Sequence, residues 1–183
     1  MKLNLGCGYD IREGWINVDK VDNEGVDVIH DLDKFPYPFK DNVVDEIIMI
    51  HILEHLNKPK EVLDELWRIS KPNARITIEV PHFSSWQAWG DITHKRTFNS
   101  TSLDSVRHDR RHINLLTKSK VNFIVKPFLR IKTFWRVFGF QWLINLHNAT
   151  RCFYERNIAQ IIPLETITWK LIVLKGEKWK KEN

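Results

Sequence analysis

Leu3-Asn4-Leu5-Gly6-Cys7-Gly8 opens the chain, and Gly14-Trp15-Ile16-Asn17-Val18-Asp19 follows a few residues later. The first stretch reads as a short apolar strand running straight into a tight turn. Glycine takes backbone conformations closed to other residues and lets a main chain pass close to a ligand. The second stretch reads as another strand, Trp15 to Asp19, that ends on an acid. Val26-Asp27-Val28-Ile29-His30 is a third, with Asp31 behind it. Val43 to Ile50 contains the continuous apolar run Ile47-Ile48-Met49-Ile50, which suits a strand covered on both faces, as in parallel sheets.

Working outward, residues 58–70 read as a helix. Asn57 is a candidate N-cap, Pro59 fits the first turn, and Val62, Leu66 and Ile69 recur as one apolar stripe. Lys71-Pro72-Asn73 ends it, and Ile76 to Val80 is a fifth strand stopped by Pro81. Residues 82–99 form a long connection rich in His, Trp, Ser and Asp, and Thr101-Ser102-Leu103-Asp104 carries a helix-capping pattern. Val121–Val125 and Thr166–Leu174 are candidate strands, with an aromatic segment over roughly residues 134–162 reading as helix between them. Strands alternating with helices predict a mostly parallel α/β sheet, and the last two strands fit an antiparallel pair around a helical insert. There is no internal repeat, low-complexity stretch or linker, so residues 1–183 read as one domain.

The chain has 183 residues, 43% of them hydrophobic and 28% charged, enough for a real core. No apolar run reaches the roughly 18 residues that span a bilayer, and the start shows no signal-peptide pattern. Cys7 and Cys152 make neither a disulfide framework nor a metal spacing, which points to a reducing cytoplasm and no metal. The net charge of +5 hides a split. Residues 1–94 hold 10 Lys/Arg and 17 Asp/Glu (net −7), whereas residues 95–183 hold 18 Lys/Arg and 6 Asp/Glu (net +12). A basic half is compatible with an anionic partner and equally with a solvated surface.

In a doubly wound sheet the turn at Gly6-Cys7-Gly8 lies at the switch point, where ligands bind. Asp19, closing the next strand, can accept hydrogen bonds from both hydroxyls of a ribose. Asp31, closing the third, can accept one from an adenine amino group.

These residues, with Asp31-Leu32-Asp33, Phe35-Pro36-Tyr37-Pro38-Phe39, Val44-Asp45, His51-Ile52-Leu53-Glu54-His55-Leu56 and Lys71-Pro72-Asn73, resemble the class I S-adenosylmethionine (SAM)-dependent methyltransferases, in particular the methyltransferase 11-type domain. The resemblance covers roughly residues 2–103. It implies a Rossmann-like, seven-stranded, mostly parallel sheet with helices on both faces, an antiparallel last strand and SAM as cofactor. Leu5, Gly6, Cys7 and Gly8 would then line the methionine part of SAM. Asp19 would hold the ribose, Asp31 and Leu32 would contact adenine, and His51 would face the methionine moiety or the reaction centre. Three departures stand out. Asn4 replaces an acid frequent in the family, Asp10 replaces a third glycine, and only six residues separate Gly8 from Trp15. The first crossover helix is therefore missing or a single turn. A dinucleotide would suffer from that loss, because its pyrophosphate sits on a helix N-terminus; SAM has no phosphate, so SAM is favoured over NAD.

In the family the loops after the fourth and fifth strands surround the methyl acceptor. His94, with a side chain that titrates near neutrality, is the candidate general base, and Asp91 three residues earlier is placed to orient it. Gly90-Asp91-Ile92-Thr93-His94-Lys95-Arg96 resembles a D-x-x-H-x-R stretch of a subset of these domains. His55 reads as a helix-start residue. The expected reaction is methyl transfer to an O or N atom of a small-molecule or glycan-linked acceptor, with an anionic acceptor compatible. The alternative is a non-catalytic module that uses its basic half on a nucleic acid or an anionic membrane surface. Arg130 to Trp142 mixes cations with aromatics, as a core-packed helix or an interfacial helix would, and peripheral membrane contact follows from the latter. Nucleic acid is the weakest of these partners, since no known binding motif is present. Transfer from decarboxylated SAM ranks last.

Overall fold

The computed structural model describes residues 1–104, 120–122, 140–161, 163–173 and 175. Seven strands run in one sheet: β1 (Lys2–Leu5), β2 (Ile16–Asp19), β3 (Val28–Ile29), β4 (Val44–Ile50), β5 (Ser70–Pro81), β6 (Lys120–Asn122) and β7 (Thr166–Ile172). Their order is β3-β2-β1-β4-β5-β7-β6. The pairs among β1 to β5 are parallel, and β7 pairs antiparallel with both β5 and β6. The fold is thus mixed α/β, mostly parallel, with antiparallel strands at one end. Leu3, Leu5, Ile47, Met49, Ile76 and Ile78 alternate along their strands and share one face, where all are buried in one core with Trp169 of β7; on the other face Asn4 and Ile48 are buried.

The connections β1–β2, β2–β3 and β3–β4 contain no helix. The one helix that crosses between described parallel strands is α1 (Pro59–Ile69), between β4 and β5. The bare β1–β2 connection matches the expected loss of the first crossover helix, whereas the helix-free β2–β3 and β3–β4 connections correct the expectation of helices on both faces there. Val62, Leu63, Leu66 and Ile69 bury the apolar stripe of α1 against the sheet. Its N-cap is Lys58 rather than Asn57 and makes no side-chain cap bond. Asp33, distant in sequence, accepts instead from the Asn57 N–H at 2.8 Å and the Lys58 N–H at 3.3 Å, and a carboxylate also suits a helix N-terminus electrostatically.

The strand after α1 begins at Ser70, six residues before the expected Ile76. Ser70 pairs with Val44 and Arg75 with Glu46, so an irregularity absorbs the residues between. Asn73 takes a positive φ of 65° there, and Pro72, which cannot donate to a ladder, is tolerated at such a break. The third strand is shorter than expected, Val28–Ile29.

Beyond β5 come α2 (Gln87–Gly90), α3 (Phe140–Asn145) and α4 (Asn148–Asn157). The last two precede β7. Ile144, Tyr154, Ala159 and Leu164 form a second, smaller core, against which Phe83 packs. The His108–His112 charge cluster, residues 123–125 of the sixth predicted strand and most of the Arg130–Trp142 segment lie outside the described residues. Among the described residues, no helix is long and apolar enough to cross a membrane.

Candidate functional site

The register gathers the C-terminal strand ends along one edge of the sheet. Leu5 stands level with Val18 and Met49, Asp19 with Ile29, and Ile50 with Glu79. The glycine turn, Asp19, the Asp31 loop and His51 therefore emerge side by side.

The turn itself is knitted to β2. Gly6 and Cys7 donate their N–H groups to the Val18 carbonyl at 2.7 and 3.1 Å. Gly8 N–H donates to Asp19 Oδ2 at 2.8 Å, and Val21 N–H to Asp19 Oδ1 at 3.0 Å. Both glycines have positive φ, 68° at Gly6 and 52° at Gly8. Their spatial roles differ. A Cβ at Gly6 would lie 2.3 Å from Ile52 Cδ1, whereas one at Gly8 would meet nothing within 4 Å. Gly6 thus makes room for the residue after His51, and Gly8 borders open space. Asn4, in the place of the expected acid, donates from Nδ2 to the Asp10 carbonyl at 2.6 Å and to Asn17 Oδ1 at 3.1 Å. A carboxylate cannot donate, so this turn needs the amide.

Leu5, Cys7 and Leu32 are buried, Leu5 and Leu32 in the main core, so any ligand would meet their main chain rather than their side chains. Burial pushes the Cys7 thiol pKa up, and the charges of Asp19, Asp27 and Asp10 push it further. The turn therefore sits in a negative field. Asp31 Oδ1 accepts from the Asp33 N–H at 3.0 Å, which bends the loop that carries both acids.

On the acceptor side, sequence reasoning singled out His51, His94 and Asp91, and the structure brings them together around a fourth group, Glu54. Glu54 lies in the single turn Leu53–His55 after β4, and its side chain is 1% exposed. His51 Nδ1 is 3.4 Å from Glu54 Oε1, and His51 Nε2 is 3.8 Å from Glu79 Oε1. The Glu54 carboxylate lifts the His51 imidazole above its ordinary pKa, against the opposing effect of burial. His94 Nε2 stands 4.0 Å from Glu54 Oε1 and 3.9 Å from Asp91 Oδ2. Asp91 spends Oδ1 on the Thr93 N–H and hydroxyl, which holds its carboxyl below the ordinary value. The side chain of His94 is 9% exposed against 40% for His51, so His94 is largely enclosed and the base expected there has little access to an acceptor. His55 is in the turn, not at the start of α1, and its ring packs edge-on to His94 with centroids 4.6 Å apart. Glu54, His55 and His94 offer ligand atoms all within 4.8 Å of one another, a grouping that linear spacing does not reveal.

A second buried cluster was missed. His82, at the end of β5, is fully buried and faces Glu155 of α4, with Nε2 3.4 Å from Oε1. Glu155 also accepts from the Ser100 N–H at 2.8 Å and the Ser100 hydroxyl at 2.9 Å. Burial raises the Glu155 pKa, yet His82 and Ser100 together bring it below the ordinary value. No local signal ties residue 155 to residue 82; only the closure of the small core does.

Residues 4–78 match the methyltransferase domain family. No curated protein matches the sequence. Among solved structures, a SAM-dependent methyltransferase from Archaeoglobus fulgidus has a TM-score of 0.63 at 17% identity, over 93% of this chain and 85% of that one. A possible histamine N-methyltransferase from Thermotoga maritima has a TM-score of 0.57 at 14% identity, over 93% and 80%. Phosphoethanolamine N-methyltransferase 2 of Haemonchus contortus, in complex with SAM, has a TM-score of 0.56 at 13% identity, over 95% of this chain and 48% of that one. The fold is that of the class I SAM-dependent methyltransferases. The segment that matches the family model holds the glycine turn, both acids and the Glu54 turn.

Proposed function

We propose that this protein transfers the methyl group of SAM to an O or N atom of a small-molecule or glycan-linked acceptor. The observation that carries the reading is the Gly6–Gly8 turn hydrogen-bonded to Asp19 at the sheet edge. Its residues fit the cofactor. Gly8 borders open space, and each oxygen of Asp19 accepts one backbone hydrogen bond and keeps a lone pair for a ribose hydroxyl. The negative field at Cys7 suits a sulfonium cation and disfavours a pyrophosphate. When bound, SAM would supply an electrophilic methyl, held by the Gly6–Gly8 turn and Asp19.

The chain's own work is to hold the acceptor in line and close. His51, the more exposed of the two imidazoles flanking Glu54, follows β4 directly and precedes Ile52, which packs on Gly6. It is placed to meet the acceptor, while His94 and Asp91 hold the loop behind it. Calorimetric titration with SAM tests the reading. Wild type binds, and Asp19→Ala weakens binding by roughly tenfold or more, as expected for hydrogen bonds to a charged group. Absence of SAM binding by wild type removes the proposal. The non-catalytic alternative draws on the basic second half and on the exposed Trp142 and Leu143 of α3, Leu146 just after it and Phe153 of α4. A chain that binds SAM but passes labelled methyl to no acceptor would shift the reading there.

A further inference from the structure

Where the loops after β4 and β5 touch, a buried carboxylate and two imidazoles bring their ligand atoms within 4.8 Å of one another. His94 Nδ1 lies 3.2 Å from the Ala88 carbonyl oxygen. A carbonyl only accepts, so Nδ1 donates there and Nε2 is the nitrogen left for a metal ion. That nitrogen faces Glu54 Oε1 at 4.0 Å and Asp91 Oδ2 at 3.9 Å, both acceptors as well. The same logic applies to His55. The Thr93 hydroxyl donates to Asp91 Oδ1 at 2.7 Å, so its contact with His55 Nδ1 at 2.9 Å is one in which the ring donates. His55 Nε2 is then the nitrogen left for a metal ion. Neither oxygen of Glu54 accepts a hydrogen bond, although the side chain is 1% exposed. His51 Nδ1 at 3.4 Å is a partial counter-charge at most. Burying a carboxylate without a hydrogen-bond donor is costly. A cation among the three groups removes that cost.

We propose that Glu54, His55 and His94 bind a divalent transition-metal ion, with zinc the fitting one. Two imidazoles and a carboxylate, with no thiol beside them, form the nitrogen–oxygen donor set that zinc accepts. Each histidine already shows the supporting arrangement of a metal ligand, its other ring nitrogen donating to a fixed acceptor, Ala88 O for one and Thr93 Oγ1 for the other. Ligand atoms around a tetrahedral zinc stand about 3.4 Å apart, so the present separations, all within 4.8 Å, close by small side-chain rotations. Three protein ligands leave a position open. Glu54 and His55 come from the turn after β4 and His94 from the loop after β5, so the ion fastens together the two segments that border the acceptor region. The Lys95 N–H, which donates to the Glu54 carbonyl at 2.9 Å, already joins them through the main chain.

The test uses the full chain without a histidine tag, stripped by chelator and titrated in the absence of SAM, so that its outcome is separate from that of the methyltransferase reading. Zn²⁺ is followed by calorimetry and Co²⁺ by visible absorption. Wild type is expected to take up one ion per chain, with Co²⁺ ligand-field bands of low-coordinate intensity. Glu54→Gln, His94→Ala and His55→Ala should each weaken binding at least about tenfold. His55 is half-exposed in a surface turn, so His55→Ala keeps the test sound if His94→Ala perturbs packing. No saturable uptake by wild type, or uptake unchanged in both Glu54→Gln and His55→Ala, overturns the proposal.

Discussion

Two buried histidine–carboxylate groups sit within one molecule, and they are built in opposite ways. At His82–Glu155 the polar atoms find partners. Ser84 N–H donates to His82 Nδ1 at 3.2 Å, His82 Nε2 faces Glu155 Oε1, and Ser100 supplies two donors to the carboxylate. At His94–Glu54 neither carboxylate oxygen has a hydrogen-bond partner, with His51 Nδ1 3.4 Å and His94 Nε2 4.0 Å from Oε1. Residue types and burial are alike; saturation is not. A satisfied cluster locks a fold, here tying α4 and the chain at Ser100 to the end of β5, whereas an unsatisfied one is held by the rest of the structure and remains ready for a ligand.

That contrast can be broken by stability measurements on chelator-treated protein. Glu155→Ala leaves His82 and Ser100 without their shared acceptor, and breaking such a buried pair from one side costs about 3–5 kcal/mol. Urea unfolding should show the loss; a change no larger than that of a surface substitution would erase the distinction. A smaller effect appears with pH. The folded-state pKa of Glu155 is depressed, so its contribution is fully present above the unfolded carboxylate value and fades as pH falls through the folded one. Wild type should therefore lose stability on acidification more steeply than Glu155→Gln, read as unfolding midpoints across a pH series. An identical slope in both would show that the carboxylate is not selectively stabilised by the fold. The smallest change belongs to Glu54→Gln, within about 1 kcal/mol of wild type or on the stable side, since it replaces a carboxylate that has no donors. A loss as large as that of Glu155→Ala would mean that Glu54 is satisfied after all.

The two groups also differ in how far they could be read in advance. His51, Asp91 and His94 stood out as residue types in loops that follow strands, and they do meet. Glu54 stands out with His51 and His55 as a polar residue of the loop after the fourth strand; that it lies between His51 and His94 depends on the 86–99 loop folding back over the turn. Glu155 was invisible as a partner, since it lies 73 residues from His82. The α1 stripe at Val62, Leu66 and Ile69 was legible, but its start was not, because Asp33 caps it from another loop. The pattern over residues 58–70 predicts that Ser70 closes the helix, whereas it begins β5, where it pairs with Val44.

Order along the chain was enough for the strand succession, the glycine turn and the acid at its side. These depend on neighbours a few residues apart, where backbone sterics and apolar periodicity act directly. The histidine–carboxylate groups, the cap on α1 and the separate tasks of Gly6 and Gly8 came only with the folded chain. Each depends on atoms brought within hydrogen-bonding or van der Waals reach from distant segments, and such distances follow from packing, on which local preference is silent.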